Sequence, residues 1–363
     1  MPATLSDLET PVPVVELDRL ERNLDRMAAY TTEHGLALRP HIKTHKSPRI
    51  GNQQLTRGAI GLTCATPREA EVMSDVCDDL LLAYPPVGAR KLERLMALPA
   101  RVRLTIALDS VEAVETLAAA AAPHDRPVDV YVELDMGMHR VGVPSAADAI
   151  ALARLVSQRP PLAYAGIAFY PGHIRNPVRD QSAALEQLDG ELNAVIKEME
   201  RAGVGPRVVS GGSTPTAWRA HELSAVTEVR PGTYVFNDRT TAELGACAWD
   251  DCALTVLATV VSTAVPHQAV IDAGTKALGR EPVRGADGEG FGVLLEHPEV
   301  TVARMSEEHG VLDLRSSSWR PNVGDRVRVI PNHVCIVVHL NDLVYGIRNG
   351  TVETSWLVAA RGR

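Results

Sequence analysis

The sequence predicts an α/β chain built as a (β/α)8 barrel of the TIM type with a second, all-β domain. Three observations carry that expectation. Between residues 37 and 230, eight short apolar runs alternate with longer amphipathic stretches. Polar residues collect just after those runs, where barrel enzymes place their chemistry. From about Ala246 the texture changes to short β-branched runs separated by turn signals such as Asn349-Gly350, with no long helical pattern between them. An open doubly wound sheet is the other arrangement that the same alternation allows.

Residues 12–17 read as a short strand that Pro13 confines to an edge or a strand start. Asp18 then reads as the N-cap of a helix to about His34, with Leu20, Leu24 and Met27 at helical spacing. The eight barrel strands are expected at 37–42, 60–64, 80–84, 102–108, 128–134, 163–169, 206–210 and 226–230. Helices lie between them, for example at 111–122, 146–158 and 179–201. The later strands are expected at 254–265, 268–271, 310–314, 326–330, 334–339 and 343–347. This divides the chain into a barrel over 18–245 and a β domain over 246–363, the latter joined by residues 1–17.

Composition narrows the function. The 363 residues are 45% hydrophobic and 23% charged, as in ordinary globular enzymes. A net charge of -8 and only 4% aromatic residues exclude a broad nucleic-acid surface. No apolar run is long enough to span a bilayer, and the N-terminus carries no signal-peptide pattern. Five scattered cysteines suit a reducing cytoplasm better than a disulfide framework.

The chemistry centres on Arg39-Pro40-His41-Ile42-Lys43-Thr44-His45-Lys46, at the end of the first barrel strand. Only a neutral amine attacks an aldehyde, and neighbouring positive charge with partial burial favours that form, so Lys43 reads as a Schiff-base lysine. A plain basic surface loop is the competing reading of these eight residues. The ring of polar residues after the other strands favours the first: Tyr84, Asp109, His139 with Arg140, Tyr170 with His173, Ser210-Gly211-Gly212, and Pro231-Gly232-Thr233-Tyr234.

Two of these segments have the form of anion sites. In Ser210-Gly211-Gly212-Ser213-Thr214 and in Gly232-Thr233-Tyr234, glycines let backbone N–H groups approach a phosphate, and hydroxyls add donors. Barrels commonly bind phosphate with their last two loops. Arg140 supplies a cation for an anionic oxygen, or else pairs structurally with Asp135. In the second domain, Pro331-Asn332-His333-Val334-Cys335 puts His333 and Cys335 on one side of an expected strand, a pair that suits zinc. A buried histidine near a buried cysteine is the commoner origin of such a pattern. Glu307-Glu308-His309 offers further ligands or an exposed turn.

Taken in order, the lysine segment, Gly137-Met138-His139-Arg140, Tyr170-x-Gly172-His173, the Ser-Gly-Gly-Ser-Thr-Pro-Thr loop, Arg-Pro-Gly-Thr-Tyr, Glu-Glu-His-Gly and Pro-Asn-His-Val-Cys resemble one family. It is the D-threonine aldolase and D-serine dehydratase family of pyridoxal-phosphate enzymes, with an alanine-racemase-like fold (fold type III). The resemblance runs through nearly the whole chain. It implies that Lys43 holds pyridoxal 5'-phosphate and that Ser210, Gly211, Gly212, Ser213, Thr214, Gly232, Thr233 and Tyr234 surround its phosphate. It places Arg140 near the ring oxygen and Tyr170 beside the ring. His333 and Cys335 would bind a divalent metal, zinc in preference to manganese or magnesium, close to the substrate's β-hydroxyl. A homodimer acting on small D-amino acids is implied as well. The general run of the sequence resembles the low-specificity aldolase branch, which makes retro-aldol cleavage of 3-hydroxy-D-amino acids to glycine and an aldehyde the first expectation. Two departures point to the alternative, dehydration to a keto acid and ammonia. Asn176 stands near the place of a further aldolase histidine, and Cys335 replaces the aspartate of an aldolase H-x-D pair. A racemase and a non-catalytic cofactor-binding protein are the readings from other classes.

Overall fold

The computed structural model describes residues 4–284 and 289–362, and the chain divides into two compact units. One unit comprises Met1–Asp25, Arg175–Val178 and Thr233–Ala359, and it includes the strand β1 (Val12–Glu16). The other comprises Arg26–Ile174, Arg179–Gly232 and the stretch from Ala360.

The second of these is the barrel. Its strands are β2 (Ala37–Leu38), β3 (Leu62–Cys64), β4 (Asp79–Leu82), β5 (Arg103–Leu108), β6 (Val128–Leu134), β7 (Leu162–Phe169), β8 (Val208–Gly211) and β9 (Glu228–Val229). All neighbours are parallel, in the order β2-β9-β8-β7-β6-β5-β4-β3. An isolated parallel bridge between His41 and Thr63, with the Thr63 N–H donating to the Pro40 carbonyl at 2.9 Å, links the two ends of that order. The strands are apolar nearly throughout because helices cover them from outside. Several helix starts follow their sequence signals. Pro48 and Pro67 occupy first turns, and Thr66, Ser110 and Ser145 accept backbone N–H groups at 3.2, 3.3 and 3.1 Å.

Leu81, Ala107, Tyr131, Ala165 and Ala168 form a buried cluster on these strands. A charged layer lies nearby. Arg39 donates to Glu228 at 2.8 Å and to Asp79 at 2.6 Å, and the Ser210 hydroxyl donates to Glu228. Arg230 donates to Ser210 and, at 3.0 Å, to the Phe169 carbonyl. Burial and the Glu228 carboxylate together push the Tyr131 phenol upward.

The remaining strands belong to the other unit: β10 (Leu254–Ser262), β11 (Gln268–Ile271), β12 (Gly292–Leu294), β13 (Val302–Met305), β14 (Gly310–Asp313), β15 (Arg326–Pro331), β16 (Leu343–Arg348) and β17 (Thr351–Leu357). The main path is β13-β14-β11-β10-β1-β16-β17, with β15 pairing β10 and β12. Strand β1 is antiparallel to β10 and parallel to β16, so it sits in mid-sheet. The Asn349-Gly350 pair makes the β16–β17 turn, both residues taking positive φ (51° and 75°).

Two local expectations are corrected. The run at 334–339 is a helix, Val334–Leu340, although four of its residues favour strands by type. Val334, Val337 and Val338 are buried at helical spacing, and the Asp238 carboxylate accepts the Val334 N–H at 3.2 Å. Tertiary capping outweighs propensity here. With Arg239–Glu243 and Thr275–Leu278 also helical, this unit is mostly rather than entirely sheet. The first long helix begins at Leu17, so Asp18 lies in its first turn instead of capping it. No helix among the described residues is long and apolar enough to cross a membrane.

Candidate active site

After β2 the chain makes one 3-10 turn, Ile42–Thr44, with His41 as its N-cap and the His41 Nδ1 accepting the Lys43 N–H at 3.4 Å. That turn directs Lys43 into a cavity of 280 Å³ in the barrel unit. Of the sequence candidates, Lys43, Arg140, Tyr170 and Gly212 line this cavity together; His41, Glu133 and Arg230 join them. Lys46, three residues on, is taken by the buried carboxylate of Glu69. Lys43 has no carboxylate partner among the described residues, and its Nζ lies 5.8 Å from the Tyr170 ring centroid. Burial, reinforced by the charges of Lys43, Arg230 and Lys46, holds the His41 imidazole well below its usual range, so it stays neutral.

Arg140 stacks over the other candidate of the ring wall: its Cζ is 4.9 Å from the Tyr170 centroid. It does not pair with Asp135, which instead accepts the Gly137 and His139 N–H groups at 3.1 and 2.9 Å. The Tyr170 ring folds over Gly172, where a Cβ would fall 2.1 Å from a ring carbon, so the Tyr-x-Gly spacing follows from steric need.

The glycine turn after β8 passes through Gly212 at φ 104°, a backbone state that L side chains rarely take. Ser213 follows, its Oγ 3.1 Å from the Thr216 hydroxyl, and Thr214 opens a 3-10 segment, Thr214–Glu222. Ser210 is placed differently, with its hydroxyl engaged by Glu228 and Arg230 in the charged layer. Gly232 approaches His41: a Cβ there would lie 2.9 Å from the His41 carbonyl and from the Thr44 hydroxyl. The cradle of Gly212, Ser213 and Thr214 with the adjacent amine, guanidinium and aromatic ring fits an aromatic aldehyde that carries a phosphate.

Thr233, Tyr234, His333 and Cys335 belong to the other unit. Tyr234 is buried, and the Thr233 hydroxyl lies 4.0 Å from the Cys335 sulfur. His333 caps the helix Val334–Leu340 and Cys335 lies in its first turn, so the pair converges through a helix start and not through strand alternation. The His333 Nδ1 is 3.0 Å from Asp238, whose side chain is fully buried, and Cys335 is within hydrogen-bonding reach of the same ring. Burial works against the His333 imidazolium, but Cys335 and Asp238 outweigh it and hold the group well above its usual range. An imidazole and a thiol brought together, with a carboxylate behind the imidazole, form a donor set of zinc type. Among the described residues no group of three or more histidine, cysteine or acidic side chains converges as a metal site. Glu308 and Glu307 are instead ion-paired with Lys276 at 2.6 and 3.4 Å on the surface.

Two residues escaped the sequence reading, and a third, Arg230, entered it only as the first residue of Arg-Pro-Gly-Thr-Tyr, without a role. Asp238 carries a signal, since Asp238-x-x-Thr241 has the form of a helix cap, and its carboxylate does accept the Thr241 N–H at 2.9 Å. Glu133 is a charge inside an apolar strand run, and Arg230 ends another. Either pattern marks a buried polar function without saying which.

Comparison with known proteins gives two family matches, "Alanine racemase, N-terminal domain" over residues 15–240 and "Putative serine dehydratase domain" over 253–347. The chain is similar to 3-hydroxy-D-aspartate aldolase of Paracoccus denitrificans, 30% identical with 99% of this chain and 93% of that protein covered. It is similar to D-threo-3-hydroxyaspartate dehydratase of a Delftia species, 33% identical with 92% and 93% covered. Solved structures of D-threo-3-hydroxyaspartate dehydratase include alanine variants of a histidine and of a cysteine two positions further on, the latter in a metal-free form. Among solved structures, D-threonine aldolase from Filomicrobium marinum superposes with a TM-score of 0.92 at 31% identity, over 100% of this chain and 98% of the other.

Proposed function

Since the chain belongs to the D-threonine aldolase and D-serine dehydratase family of lyases, we propose that it is a pyridoxal-phosphate-dependent lyase of 3-hydroxy-D-amino acids. The observation that supports this most is the cavity in which Lys43, free of any carboxylate partner among the described residues, meets Arg140, Tyr170 and Gly212. Lys43 would hold the cofactor through its amine. Gly211, Gly212, Ser213, Thr214 and Gly232 would face its phosphate with N–H and O–H donors. Arg140 would balance the ring's anionic oxygen, and Tyr170 would bound the ring on one side. When bound, the cofactor supplies an electron sink for the bond broken at the α-carbon.

His333 and Cys335 would hold a divalent cation, zinc by ligand softness with manganese or magnesium as harder alternatives. That ion supplies the Lewis acid for the substrate's β-hydroxyl. Retro-aldol cleavage to glycine and an aldehyde is the first reading, supported by likeness to two aldolases over nearly the full chain. Dehydration to a keto acid and ammonia is the second, favoured by Cys335, because a solved D-threo-3-hydroxyaspartate dehydratase has a histidine and a cysteine at the same two-residue spacing. Activity should be confined to D-configured substrates, and the working form should be a homodimer.

Borohydride reduction followed by peptide mapping tests the cofactor assignment, and product analysis tests the outcome. Reduction should fix the cofactor on Lys43, and Lys43→Ala should remove both the label and turnover. Label at Lys46 or Lys276 instead would reject the assignment. Incubation of metal-loaded protein with D-threonine and D-serine then separates glycine plus acetaldehyde from keto acid plus ammonia.

A further inference from the structure

Glu133, the penultimate residue of β6, reaches the Lys43 cavity from the barrel wall. It is 5% exposed, and among the described residues its carboxylate has no hydrogen bond and no ion pair. The neighbouring buried acids are all partnered, Glu228 by Arg39 and Ser210, and Glu69 by Lys46. A buried polar group without a partner is rare in folded proteins, and one that faces a cavity finds its partner in what the cavity binds.

The charges around it define what that partner feels. Arg230 faces Glu133 from beyond β9, Arg140 from the loop after β6, and Asp109 from the end of β5. Lys43, with the neutral His41, looks onto the same cavity from the turn after β2, and Tyr170 from beyond β7. Burial raises the Glu133 carboxyl, while Arg230 and Arg140 favour its ionised form. Two guanidinium groups, Arg140 and Arg230, line the cavity together with Lys43, and Glu133 is the buried carboxylate on its wall that opposes their charge. In a cavity of 280 Å³ such charges act across protein rather than through screening salt.

We propose that the Glu133 carboxylate contacts the ligand bound at Lys43 and, as the counter-charge of the cavity, keeps the imine nitrogen at Lys43 protonated, the form that an incoming substrate amine attacks. This rests on the cofactor reading of Lys43. The test is a pH titration of the visible absorption of cofactor-loaded protein, wild type against Glu133→Gln and Glu133→Asp. Circular dichroism and a borohydride-stable label on Lys43 establish that each variant folds and is loaded. Glu133→Gln should lower the titration midpoint by about one pH unit, a roughly tenfold weaker hold on the proton, or about 1.4 kcal/mol. Glu133→Asp should keep most of the wild-type value. A labelled Glu133→Gln with an unmoved midpoint overturns this proposal and leaves the cofactor reading intact. If wild type takes no label on Lys43, both fall. If Glu133→Gln does not fold, Glu133→Ala takes its place, with the same drop expected and an unmoved midpoint overturning the proposal.

Discussion

The Nδ1 of His333 and the buried carboxylate of Asp238 lie 3.0 Å apart, within hydrogen-bonding distance. The same carboxylate accepts the N–H groups of Val334 and Thr241, at 3.2 and 2.9 Å, so one side chain starts two helices and aims one imidazole. Outer carboxylates of this kind fix the histidine tautomer and raise its strength as a ligand.

Asp238→Asn should therefore weaken zinc binding by about 10–100-fold, read by competition with a chromophoric chelator on the purified protein. Stability should fall by only about 1 kcal/mol, because asparagine still caps. Zinc affinity equal to wild type would remove Asp238 from the site.

Cys335→Asp exchanges a soft thiolate for a hard carboxylate. Zinc affinity should drop relative to manganese in equilibrium titrations. If expulsion of hydroxide depends on thiolate-bound zinc, keto-acid formation should decline more than aldehyde formation in the same samples. An unchanged metal preference would contradict the pairing of Cys335 with His333.

The charged layer of the barrel makes a stability prediction. Glu228 is 1% exposed and serves Arg39 and Ser210 at once. Glu228→Ala leaves a buried guanidinium short of its partner, a change that commonly costs about 3–5 kcal/mol. Urea unfolding should show a loss in that range, and a loss below about 1 kcal/mol would mean that Asp79 alone satisfies Arg39.

His45 predicts a pH dependence. Its ring is fully buried, 3.2 Å from Gln54, and burial lowers its pKa from 6.5 to about 3. Between those values the unfolded chain binds a proton that the folded chain does not, so stability falls as pH drops below 6.5, by about 1.4 kcal/mol per unit. In His45→Gln the loss on going from about pH 6.5 to about pH 5 should be smaller by about 2 kcal/mol. Identical pH slopes in urea melts of the two proteins would contradict this.

The barrel was legible because its signals are local and repeated: several apolar runs are followed by a proline or a hydroxyl cap at a helix start, as at Ser47-Pro48, Thr66-Pro67 and Ser110. Lys43, Arg140, Tyr170 and Gly212 were legible for a related reason, since each follows the end of a strand. The helix carrying Cys335 was not, because Asp238, which accepts the N–H of its first residue Val334, is ninety-six positions earlier in the chain. Ser210 shows a further limit. Its place before the glycines suggested a phosphate donor, yet strand alternation turns its hydroxyl to Glu228. Glu133 and Arg230 were visible only as charges in apolar surroundings, and a pattern of residue types does not say which charges meet.

Strand β1 has a consequence for synthesis. It is made before its partners β10 and β16, which lie more than two hundred residues later, and it occupies the middle of their sheet. The barrel strands, ending at Val229, can all assemble while Val14 and Val15, fully buried in the finished protein, still wait for a partner. Contacts of such long sequence separation form late and leave apolar strand edges open to other chains in the meantime. The residues Val12–Glu16 must therefore stay out of reach of other chains until β10 and β16 have been made.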